Sequence, residues 1–219
     1  MLIAMDDWTR FLGAIPWFPA PGDTAVVGEA RPWSGPAADD LPVLSALLGT
    51  ATLTPAAVGT TDYELLAWGP PEARRGWLCH PPHAGTGVAE THRSFWRLCG
   101  GIVERFGEPT TRWTSHEEVL TVAATEVSPA DTLADYAWLW EDDGLELPID
   151  PAEYYTVAVE ANGNLTLAHR DDGRLLHFAP DHAFEDVTPL PGCPPYSLHT
   201  LDEAPDLASW IETCAEAWR

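Results

Sequence analysis

The sequence predicts a single α+β domain over residues 1–219: a mainly antiparallel sheet, centred on a β-meander, packed by several α-helices. Two observations carry this. The stretch Tyr154 to Phe178, YYTVAVEANGNLTLAHRDDGRLLHF, holds three short runs rich in β-branched and aromatic residues, separated by two turn signals. Around it, apolar residues recur at helical spacing after Glu90, Pro129 and Glu203.

In the meander, Asn162-Gly163-Asn164 and Asp171-Asp172-Gly173 supply the positive-φ residues that tight hairpins need. Simple alternation puts Tyr155, Val157 and Val159 on one face of the first strand. Thr156, Ala158 and Glu160 fall on the other, which predicts one packed and one wetted side. His169 shares a face with Leu165 and Leu167, which reads as a partly buried structural histidine.

Ahead of the meander, Trp8, Phe11, Leu12 and Ile15 mark a helix within Met1 to Ile15, ended by Pro16. Thr24 to Val27 reads as a brief strand inside a Pro- and Gly-rich loop. Asp39 or Asp40 is placed to cap a helix over Leu41 to Leu48, stopped by Gly49. Asp62 to Trp68 and Arg75 to Cys79 pair as a hairpin across Gly69-Pro70-Pro71. Residues 1–80 thus form a less regular N-terminal part.

From Glu90, one stripe takes in Phe95, Leu98, Cys99, Ile102, Val103 and Phe106 and predicts a helix up to Gly107. Gly100-Gly101 inside it signals a kink, a break or the close approach of another backbone. Ser115 to Glu118 resembles a capping box opening another helix. Ser128-Pro129 opens a helix striped by Leu133, Tyr136, Ala137 and Trp140 and stopped at Gly144. Pro180 to Tyr196 reads as loop with one edge strand. A final helix buries Leu207, Trp210, Ile211, Cys214 and Trp218, so removing Trp210 is expected to unfold much of the domain.

Charge narrows function. Thirty-four acidic residues face 11 basic ones, all arginine, for a formal charge of −23. That excludes nucleic acid and anionic membrane as partners and favours a basic protein. The segment MLIAMDDWTR lacks the pattern of a secretory signal, and the four cysteines show no paired spacing. A cytoplasmic setting is expected.

Three groups of residues invite chemistry. Cys79, His80 and His83, with His92 downstream, have zinc-ligand character, but no second ligand pair follows at short spacing, so a loop with ordinary histidines is the competing reading. Asp181-His182, with His177 and His169 nearby, could orient an imidazole, yet no nucleophile elbow is present. The absence of lysine removes phosphate-loop and Schiff-base chemistry. No cofactor is signalled. The carboxylates Glu141, Asp142, Asp143 and Glu146 lie at a helix end, where they oppose the dipole. They read as a solvated acidic patch or as a surface for a basic partner.

The segment LPIDPAEYYTVAVEANGNLTLAHRDDGRLLHFAPD resembles the central meander of the SUKH superfamily, bacterial immunity proteins with relatives among yeast cell-wall regulators. The matching positions are Val157 to Val159, Asn162-Gly163-Asn164, Leu165 to Ala168, Asp172-Gly173 and Leu176 to Phe178. The helix with Leu207, Trp210 and Ile211 is similar to the family's closing helix. The resemblance covers the last third of the chain. It implies a non-enzymatic binding protein that neutralises a basic toxin such as a nuclease. The clustered negative charge, rather than the resemblance, points to Glu141, Asp142, Asp143 and Glu146 with Asp171 and Asp172 as the surface for it. The competing expectations are a hydrolase, either metal-assisted or dependent on histidine and carboxylate, and an adaptor that pairs with itself through an apolar face near Trp138.

Overall fold

A computed structural model describes residues 6–109, 116–181 and 186–219. Among these, twelve strands form one open sheet: β1 (Ala25–Val27), β2 (Arg31–Pro32), β3 (Thr52–Val58), β4 (Thr61–Trp68), β5 (Arg75–Cys79), β6 (Ile102–Phe106), β7 (His116–Val119), β8 (Tyr154–Glu160), β9 (Leu165–His169), β10 (Leu175–Phe178), β11 (Val187–Pro189) and β12 (Leu198–Leu201). The order is β1-β3-β4-β5-β6-β7-β8-β9-β10-β12-β11, with β2 also on β3. Each pairing is antiparallel. The helices are α1 (Asp7–Ala14), α2 (Pro42–Leu48), α3 (Glu90–Leu98), α4 (Val122–Glu126), α5 (Pro129–Asp135), α6 (Trp138–Glu141) and α7 (Leu207–Trp218). The α+β class and the β8-β9-β10 meander are as the sequence predicts, and residues 1–80 supply β1 to β5 of the same sheet.

Alternation along the strands feeds both sheet faces. Leu66, Trp68, Trp77 and Cys79 pack on one face with α2, α3 and α7. Leu65, Ala67 and Leu78 pack on the other beneath α1. Further along that second face, Leu165, Leu167, Leu176 and Phe178 meet Leu133 of α5 and Trp140 of α6. The expected wetted side of the meander is therefore covered, and β8 is buried on both faces. Alternation also fails along β8. A bulge between Thr156 and Ala158 adds one residue, so Val157 and Ala158 both face the α7 side and Val159 packs on the α5–α6 side.

α7 spans the two halves of the sheet. Its Trp218 ring lies 5.7 Å from Trp68 and 5.6 Å from Trp77, both edge-on, and its carbonyl accepts the Trp68 indole N–H at 2.7 Å. At its start, Asp206 and Ser209 form a capping box, and Leu207 N–H donates to Gly173 O in the β9–β10 turn. Between these ends, the Glu212 carboxylate accepts the Val43 and Leu44 N–H groups at 2.8 and 3.0 Å. That corrects the cap assigned to Asp39 or Asp40: α2 makes no side-chain bond at its N-cap, Leu41, and is capped from α7 instead.

Three predicted helices are corrected. The helix from Glu90 stops at Leu98, and Ile102 to Phe106 is strand β6. Gly100 carries the reason: a Cβ there would sit 2.2 Å from Pro81 O, and Gly101 takes φ +114°. The residues from His116 to Val119 are strand β7, paired with β8, not a helix; Ser115 lies outside the described residues. The helix from Pro129 breaks at Tyr136, leaving α5 and the single turn α6.

Candidate functional site

The acidic surface is built by the α5–α6 corner. The Ser128 hydroxyl accepts the Asp131 N–H at 3.2 Å, and Pro129 occupies the first turn, which fixes the start of α5. Leu133 goes down into the core, and Tyr136 packs edge-on against Phe178, ring centroids 5.2 Å apart. The helix breaks at Tyr136 and resumes as α6. Trp140 is buried, while Trp138 turns out and stays 52% exposed. Gly144 N–H donates to Glu141 O and Leu145 N–H to Trp140 O, closing the last turn in a Schellman arrangement.

Glu141, Asp142, Asp143 and Glu146 are exposed on the same segment as Trp138 and Leu145, the latter 39% exposed. The charge here is unopposed along the chain. Between Arg112 and Arg170 no lysine or arginine occurs. A one-turn helix has little dipole, so the electrostatic cost expected of these acids is small. An exposed indole followed within eight residues by four exposed carboxylates offers both an apolar anchor and polar, charged neighbours.

Asp171 and Asp172 occupy the β9–β10 turn and are exposed. The Arg174 N–H, donated to Asp172 Oδ1 at 3.0 Å, holds that carboxyl below its ordinary range, helped by His169. Basic groups crowd this turn. Arg170 lies over the Tyr155 ring at 5.6 Å and donates to Ala152 O and to Gly87 O. His169 Nδ1 is 3.1 Å from Asp172 and its ring is edge-on to Tyr154, in line with a partly buried structural role.

The histidines of the zinc reading engage separate partners. His80 stacks on Tyr63, and His83 lies over Trp96. His92 is buried between the Tyr155 hydroxyl and Leu120 O, each 3.2 Å from a ring nitrogen. Burial, with the Cys99 thiol beside it, pushes the Cys79 thiol well above its ordinary range, which opposes the thiolate that zinc needs. Among the described residues, no group of three His, Cys, Asp or Glu side chains is placed to hold a metal ion.

A second polar group escaped sequence reasoning. Glu160, at the end of β8, lies 3.6 Å from His116 Nε2 and 3.7 Å from His177 Nε2 and accepts a bond from Asn164 Nδ2 at 3.2 Å. All four side chains are buried on the α7 side. Arg105 Nη2 donates to His116 O at 2.6 Å, and the His116 ring meets Trp210 edge-on. Burial lowers His116 to about 3, with His177 and Arg105 adding to the shift, so its imidazole stays neutral. The sequence singles out His177, but with Asp181 and His182 rather than with Glu160, which alternation places on the wetted side. Asp181 is exposed, with Asn162 Nδ2 at 3.4 Å, and His182 lies outside the described residues.

Comparison with family models, curated proteins and solved structures returned no match. The functional reading accordingly rests on the surfaces just described. No helix among the described residues is long and apolar enough to cross a membrane.

Proposed function

We propose that the protein is a non-enzymatic binding module for a basic protein, and that Trp138, Leu145 and the carboxylates Glu141, Asp142, Asp143 and Glu146 form its docking surface. The observation that carries this is Trp138, exposed on the same short segment as four exposed acids, on a chain of charge −23. Exposed indoles of this kind act as interface anchors, and the surrounding charge steers a basic partner and sets orientation. Asp171 and Asp172 contribute less, because Arg170 and Arg174 stand beside them. The SUKH-like meander supports a finer reading: immunity against a basic toxin such as a nuclease, in which the carboxylates take the place of substrate phosphates.

Titration of the protein with a basic nuclease domain encoded beside its gene tests both levels. Binding at low salt that weakens steeply as salt is added is expected. Trp138→Ala should cost about tenfold or more in affinity. No binding at low salt would refute the nuclease reading, and binding indifferent to Trp138 and to the four carboxylates would refute the surface. Concentration-dependent self-association lost in Trp138→Ala would favour the adaptor instead.

A further inference from the structure

A different edge of the molecule is built to take an extended chain. β1 is the last strand of the sheet on its side. Gly28 N–H donates to Pro55 O, and Gly59 N–H donates to Thr24 O. With Val26 opposite Ala57, these bonds fix which way the backbone faces: Thr24, Val26 and Gly28 bond inward to β3. Ala25 and Val27 therefore turn their N–H and C=O groups outward, where no described residue meets them. Val26 and Val27 are 71% and 39% exposed, and no proline or lysine blunts the strand itself.

Beside this open ladder lies a cavity of about 310 Å³, lined by Asp6, Asp7, Trp8, Val27, Gly28 and Thr54 among others. Asp7 is paired with Arg74 at 2.7 Å. Asp6, which caps α1, accepts from the Thr9 N–H and hydroxyl, and its exposed carboxylate keeps its charge at the cavity mouth without a basic partner among these bonds. Val27 sits opposite Ala56 and shares its α1-side face, so a residue paired to Val27 from outside would point its side chain toward this cavity. The next residue along would lie beside the exposed Val26, on the opposite face.

We infer that the outer edge of β1 binds an extended segment of a partner protein by strand addition. The segment alternates basic and apolar residues: a lysine or arginine reaches the Asp6 cavity, and an apolar residue covers Val26. Main-chain bonds to Ala25 and Val27 supply affinity, and the alternation supplies selectivity. Glu29, exposed at the strand's end, adds to the attraction.

A short fluorescent peptide of alternating lysine and valine tests this by anisotropy. The wild-type protein should bind it. The same peptide N-methylated at every second residue, which cannot complete the ladder, should bind at least tenfold more weakly. Val27→Pro removes an outward donor while leaving the bonds to β3 intact, and should weaken binding to a similar degree. Asp6→Asn keeps the helix cap and should weaken binding severalfold. Trp138→Ala should have no effect, which separates this edge from the α6 surface. Absence of binding, or equal binding of the methylated peptide, overturns the inference. So does binding that Trp138→Ala abolishes.

Discussion

His92 shows how one buried side chain ties stability to pH. Its ring is closed in between α3 and β8, and burial lowers it to about 3 from 6.5. The Tyr155 hydroxyl and Leu120 O sit on its two ring nitrogens, an arrangement suited to the neutral imidazole. Leu120 takes the left-handed conformation, φ +56°, and its carbonyl also accepts the Trp96 indole N–H at 2.6 Å. A non-glycine residue held there costs roughly 1–3 kcal/mol, which these two bonds help offset. Because the folded state depresses the histidine, the unfolded chain takes up a proton first as pH falls. Stability should therefore drop between about pH 6.5 and about pH 3. His92→Gln keeps a donor and an acceptor without the titration. Urea midpoints at several pH values should show a flatter profile for the variant across that window. An unchanged profile would mean that the folded state does not depress His92, since the contribution of His116 adds to that of His92 and does not mask it.

At the scale of elements, the helices are held by contacts from far along the chain. α2 has only seven residues and depends on Glu212 for its first turn. Glu212→Ala should destabilise the protein by about 0.5–2 kcal/mol, the usual worth of a cap, with faster hydrogen exchange in Val43 to Leu48. Urea denaturation reads the first and mass spectrometry the second. Glu212→Gln should recover part of the loss. The same dependence decides what could be read in advance. The meander and α7 were legible because β-rich runs and a helical stripe there agree with their turn and cap residues, although the bulge in β8 defeats simple alternation. β6 was not, since Ile102, Val103 and Phe106 also fit a helical stripe, and only the space around Gly100 excludes it. β7 was not, because its polar sequence gains strand character from pairing with β8, some forty residues downstream. For the candidate site, the acids were legible as a run. The two indoles are also told apart, since Trp140 falls on the apolar stripe with Leu133 and Trp138 falls off it, and their burial agrees.

At the scale of the whole molecule, the sheet and α7 share one core, and the chain carries a formal charge of −23. That charge repels itself across the folded surface more than across an unfolded chain. Raising salt from low to physiological ionic strength should lift the melting temperature by a few degrees, as screening relieves the repulsion; calorimetry checks this, and a fall would mean that attractive pairs outweigh it. The central claim, that the α6 corner is where a basic partner docks, is tested most directly by hydrogen exchange of the protein with and without a bound basic nuclease domain. Slower exchange in the amides from Trp138 to Glu146, with the β8–β9 turn little changed, is the predicted result. Protection that leaves those amides untouched and falls instead around His116, Glu160 and His177 would contradict it.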